Sequence, residues 1–88
     1  MTIQARIEAE ILRQCMARGA GRTLCPSEVA RALEGSDAGW RALMPAVQQV
    51  ALELQGIGKI DIFQKGLPID SAALSGPIRL GLPQDQGG

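Results

Sequence analysis

The chain has 88 residues, 45% hydrophobic and 20% charged, and its nine Lys and Arg are balanced by nine Asp and Glu. That length makes one domain with a thin core, burying on the order of 60–65% of the unfolded surface, and leaves no room for a second domain to wall off a deep cleft. The apolar fraction argues against disorder, and a pI near 6.2 excludes capture of nucleic acid or an anionic membrane by bulk charge alone.

Thr2 is placed to cap a first helix over about residues 3–18, its side-chain oxygen meeting the open N–H groups of the first turn. Ile7, Ile11, Leu12, Cys15 and Met16 recur at helical spacing and predict its buried face. Glu10 lies one turn from Arg6 and within reach of Arg13. Gly19 and Gly21 end the helix. Thr23-Leu24-Cys25 reads as a short extended piece before Pro26, which disfavours helix in the residue before it and suits a first helical position. A second helix follows over about 26–33, burying Val29, Ala30 and Leu33. Glu28 sits near its start, where a carboxylate is favoured, and one turn from Arg31.

Gly35-Ser36-Asp37 is a turn, with Asp37 as the expected cap of the next segment. Pro45 removes a hydrogen bond and crowds the carbonyl of Arg41. A short turn is therefore expected around 39–43, and the main third helix over about 45–55. Its inner stripe is Leu43, Val47, Val50, Ala51 and Leu54, with Trp40 in line. After Gly56 and Gly58 the hydrophobic period switches from helical to alternating. Residues 59–64 and 77–82 read as half-buried strands. Between them runs a long connection with Gly66, Pro68 and Asp70, the last as cap of a single helical turn. Residues 84–88 are a polar tail expected to fray.

This order predicts an α+β fold: a winged helix-turn-helix, with a three-helix bundle and a C-terminal β-hairpin wing, in one domain over 1–83. Four ordered stretches sharpen that expectation: Cys25-Pro26-Ser27-Glu28-Val29-Ala30-Arg31-Ala32-Leu33, then Trp40-Arg41-Ala42-Leu43-Met44-Pro45-Ala46-Val47, then Gln64-Lys65-Gly66-Leu67-Pro68-Ile69-Asp70, and then Gly76-Pro77-Ile78-Arg79. Together they resemble a bacterial family of small, uncharacterised winged-helix-like proteins, over roughly residues 7–83. The resemblance implies the fold and carries no catalytic or ligand residue with it. In that family an arginine tends to follow the Met-Pro-x-Val run, where this chain has Gln48.

The outer face of the third helix is the surface that would enter a major groove. It shows Arg41, Ala42, Pro45, Gln48, Gln49, Leu52 and Glu53. Gln48 and Gln49 are suited to adenine edges, whereas Glu53 repels phosphate. Arg22, Arg31, Arg41 and Lys65 are the cations available for phosphate, fewer than the ~6–10 contacts of a strongly binding protein. Leu52 is the apolar member of the face, an anchor for a protein partner or a second copy, or else an ordinary exposed leucine. Phe63 and Arg79 are expected on the outer side of the wing, stacked on one another. Lys65-Gly66 would either touch a backbone phosphate or help Asp70 to brace the loop.

Catalysis is not expected, because the chain has no histidine and no tyrosine to serve as base or acid. Nor is a metal or other cofactor: Cys15 and Cys25 form no CxxC pair. Cys15 lies on the apolar stripe as core filler. Cys25 sits at a helix start, where a thiol is activated, or is simply a small residue in a tight turn. Residues 1–6 lack the basic and apolar regions of a signal peptide, and no stretch approaches the ~20 apolar residues of a membrane helix. A reduced, cytoplasmic protein with no membrane contact is the expectation. Two functions stay open: a regulator that contacts double-stranded DNA weakly, and a protein-interaction or dimerisation module.

Overall fold

The computed structural model of the chain describes residues 2–69 and 77–83. Among them the fold is α+β. Helices α1 (Ile3–Arg18), α2 (Pro26–Leu33) and α3 (Asp37–Gly56) pack against strands β1 (Thr23–Leu24), β2 (Asp61–Gln64), β3 (Leu67–Pro68) and β4 (Arg79–Gly81). The strands make one antiparallel sheet in the order β1-β4-β2-β3.

Helix α1 is capped as expected, with the Ala5 amide donating to Thr2 Oγ1 at 3.0 Å. Ile7, Ile11 and Cys15 are fully buried on it, and Leu12 packs partly against the core. Met16 departs from the expectation and is 70% exposed. At ~100° per residue it lies about 140° from Ile11, the middle of the buried stripe, too far round to turn inward. Glu10 accepts from Arg13 and also from Gln14 Nε2, at 2.8 Å.

Helix α2 starts at Pro26, where the carboxylate of Glu28 folds back to accept from the Cys25 amide at 3.0 Å. This return contact satisfies a donor the helix itself cannot. Glu28 also pairs with Arg18 of α1. The anticipated Glu28–Arg31 pair gives way to that longer-range one, and Arg31 lies instead over the Trp40 ring.

Helix α3 is continuous through Pro45, against the expectation of a turn followed by a shorter helix. Its cap is Ser36, whose Oγ accepts from the Gly39 amide at 3.1 Å, rather than Asp37. Asp37 accepts from the Trp40 indole at 3.2 Å. A proline forfeits only the one hydrogen bond to the residue four back. Here the preceding turns are fixed independently, by the Ser36 cap and by burial of Trp40. Tertiary packing outweighs the local penalty. Val47, Val50, Ala51 and Leu54 complete the buried stripe.

The C-terminal strands form more than the expected two-stranded hairpin. β2 does pair with β4, but β4 also pairs with β1, and β2 turns directly into β3. That turn is Lys65-Gly66, both with positive φ (53° and 82°), the backbone of a tight hairpin whose twist matches the strands. Pro68 is tolerated in β3 because that strand is the sheet edge. The segment after β3 is tied down by the Ile69 amide donating to the Ile62 carbonyl at 2.8 Å. Gln55 Nε2 of α3 donates to the Ile69 carbonyl at 2.6 Å. The anticipated Asp70 cap and the 84–88 tail lie outside the described residues.

Register sorts the sheet into two faces. Leu24, Leu80 and Ile62 stand opposite one another across β1, β4 and β2 and are fully buried against the helices. Thr23, Gly81 and Asp61 form the neighbouring row, which points to the other side, with Phe63 opposite Arg79 next along it.

Candidate nucleic-acid interface

On α3, Arg41, Ala42, Pro45, Gln48, Gln49 and Glu53 are exposed, as the helical spacing predicts. Leu52 is half-buried and packs against the core. Gln49 Nε2 donates to Glu53 at 3.4 Å, a long bond that a competing acceptor would readily replace.

At the N-terminal end of this face, two cations gather on one aromatic ring. The guanidinium carbon of Arg31 lies 4.4 Å from the Trp40 ring centroid and that of Arg41 lies 4.6 Å from it. Each contact is electrostatically favourable, and neither uses up the hydrogen-bond donors of the guanidinium. Both side chains are exposed, while Trp40 is 9% exposed and anchored by its Asp37 bond. Positive charge from two helices is thereby gathered on one ring, with Arg41 about two turns before Gln48 on the same face of α3. Arg41 was legible as part of this face, but its union with Arg31 was not, since it needs the packing of α2 on α3.

The other two anticipated cations sit elsewhere. Arg22 and Lys65 line a cavity of about 340 Å³ on the outer side of the sheet, with Phe63 and Arg79. Phe63 and Arg79 are cross-strand partners, as the alternation implied. The arginine is held by Thr23: Nε donates to Thr23 Oγ1 at 2.7 Å and Nη2 to the Thr23 carbonyl at 3.1 Å. Arg18 Nη1 donates to that same carbonyl at 3.0 Å. No sequence signal pointed to Thr23, because its role depends on β1 lying beside β4.

Both cysteines are free. Burial pushes the Cys15 thiol up to about 11, so it stays protonated at neutral pH. Cys25 is half-buried, and its sulfur accepts from Ser27 Oγ at 3.1 Å. Among the described residues no group of three or more His, Cys, Asp or Glu side chains is placed to hold a metal ion. No helix among them is long and apolar enough to cross a membrane.

The model of a protein family of unknown function, DUF3253, matches residues 4–83. The chain is a member of the DUF3253 family. The match spans every described element but the first residue of α1. No curated protein matches this DUF3253 chain.

Proposed function

We propose that this DUF3253 chain is a non-enzymatic binding module of the winged helix-turn-helix type, which contacts double-stranded DNA weakly through α3. The observation that carries the reading is the pair of cations fixed on Trp40, at one end of the exposed Gln48/Gln49 face. Paired arginines would grip phosphate and set the register, and the two amides would read base edges. The element order supports it by analogy of fold: three helices, with β4 lying between β1 and β2. Such analogy raises the expectation without assigning the function. The alternative, a protein-interaction or dimerisation module anchored by Leu52, has less behind it, because Leu52 packs against the core.

Trp40 is the sole tryptophan and lies in the proposed interface, so its fluorescence reports on binding directly. Titration with mixed-sequence duplex DNA at low salt is expected to change its emission. Two phosphate contacts, from Arg31 and Arg41, predict a log–log salt slope of about −2, or roughly a tenfold loss of affinity for a fourfold rise in salt. Arg41→Ala should reduce that slope by about 1, and Gln48→Ala should change sequence preference. A slope nearer −4 would bring Arg22 and Lys65 into the interface. Unchanged Trp40 emission at low salt, or equal binding by both variants, would refute the proposal.

A further inference from the structure

The outer-sheet cavity has a chemistry of its own, separate from the α3 face. Three of its lining residues are cations, namely Arg22, Lys65 and Arg79, and none of its described lining residues is acidic. Gathering like charges around one space is unfavourable unless an anion occupies it. The remainder of the wall is largely apolar, including Phe63, Pro77 and Leu82. Its volume of about 340 Å³ falls within the range of small-molecule sites, ~300–1,000 Å³.

Arg79 is positioned before any ligand arrives. Arg79 spends Nε and one Nη2 hydrogen on Thr23, which orients the fork and leaves its other donors without a partner among the described residues. The tight turn between β2 and β3 sets the backbone of Lys65, and Arg22 directly precedes β1. Phe63 is held down against the sheet: a Cβ at Gly81 would come within 3.2 Å of its ring. An arginine already oriented by its own hydrogen bonds loses less freedom on binding, which is the main advantage of a preformed site.

We propose that this cavity binds a small organic anion: a phosphate or carboxylate carried on a flat, apolar body. The charged end would lie among Arg22, Lys65 and Arg79, and the body against Phe63, Pro77 and Leu82. The site does not depend on the DNA reading, since it shares neither Arg31, Arg41 nor Trp40 with the α3 face.

The test is a titration of the full chain, followed by backbone and arginine side-chain NMR, with phenyl phosphate, benzoate, inorganic phosphate and benzyl alcohol. Phenyl phosphate or benzoate should bind at least about tenfold more tightly than both inorganic phosphate and benzyl alcohol. Shifts should centre on Gly21, Arg22, Lys65, Gly66 and the Arg79 Nε–H. The tighter of the two identifies the anionic group. Lys65→Asn removes the charge while keeping a residue at home at positive φ, so it should fold normally and weaken binding about tenfold. Arg79→Gln should weaken it further, whereas Arg41→Ala should leave it unchanged while impairing DNA binding. No saturable shifts at the cavity with either aromatic anion would overturn the proposal. So would equal affinity for benzyl alcohol, or full binding by Lys65→Asn and Arg79→Gln together.

Discussion

Gly81 is where the sheet and the cavity can be tested by one methyl group. It sits in β4 with Thr23 on one side and Asp61 on the other. A Cβ added there would lie 3.0 Å from the Arg22 carbonyl oxygen, 3.2 Å from Phe63 Cε1 and 3.3 Å from Thr23 Cγ2. All three are closer than ordinary contact, and the nearest belongs to backbone that cannot rotate away. Overpacking of this kind costs about 1–3 kcal/mol, offset by the ~0.4–1 kcal/mol that alanine gains by restricting the unfolded chain. Gly81→Ala should therefore destabilise by about 1–2 kcal/mol, lowering Tm by roughly 5–15 °C in a domain of this size. Gly35→Ala is the matched control. Nothing lies within 4 Å of its added Cβ and its φ is not positive, so it should leave Tm unchanged or slightly higher. Thermal melts followed by circular dichroism would measure both. If Gly81→Ala melted with Gly35→Ala, there would be room over β4, Phe63 would not be pinned, and the cavity floor described above would be wrong.

Two pH-dependent predictions accompany this one. The Glu10 carboxyl titrates below its ordinary value of 4.5, chiefly because Arg13 hydrogen-bonds to its charged form. Its stabilisation is therefore present above about pH 4.5 and lost as pH falls through the lower native value. Glu10→Gln should lower Tm by roughly 2–5 °C near neutral pH, a gap that should shrink in acid as the native carboxyl protonates. Equal Tm gaps at neutral and acid pH would refute the assignment. Burial raises the Cys15 thiol from 9.0 to about 11, so the native state holds a proton that the unfolded state releases sooner. Stability should be intact below about pH 9 and fall between 9 and 11, by up to about 2 kcal/mol. Urea unfolding of Cys15→Ala should show a shallower decline across that window, and an identical decline would place its cause elsewhere.

Much of the fold was legible because the local signals were strong and agreed. The Thr2 cap, the Ile7–Ile11–Cys15 stripe, Pro26 at a helix start and the alternation around Ile62 and Leu80 each point to one conformation. Legibility ended where a distant contact decided between local options. Pro45 is a helix breaker by chemistry, yet α3 runs through it because Ser36 and Trp40 fix the turns before it. The Lys65-Gly66 turn was hidden because lysine seldom takes positive φ. Candidate site residues fared likewise. Exposure along α3 follows from helical geometry, so Arg41, Gln48 and Gln49 could be picked out. That Arg31 joins Arg41 while Arg22 joins Arg79 depends on which elements pack together, and no spacing within one segment encodes that.

The balance of charge is the clearest case of composition concealing arrangement. Nine cations against nine acids suggest a surface with no preference for anions. Three of the described acids, however, are engaged in building helices. Glu28 closes the start of α2 and pairs with Arg18, Glu10 serves Arg13 and Gln14, and Asp37 holds the Trp40 indole. Carboxylates tied to helix starts and to neighbours one turn away stay on the helical side of the molecule. Asp61 shares the outward row of the sheet with Thr23 and Gly81 but does not line the cavity that Arg22, Lys65 and Arg79 share. Screening in physiological salt extends over only about 8 Å. An anion therefore responds to its immediate neighbours and hardly to the sum over the chain. A neutral protein can hold a cationic site at no cost to its overall charge, provided that its acids do not line that site.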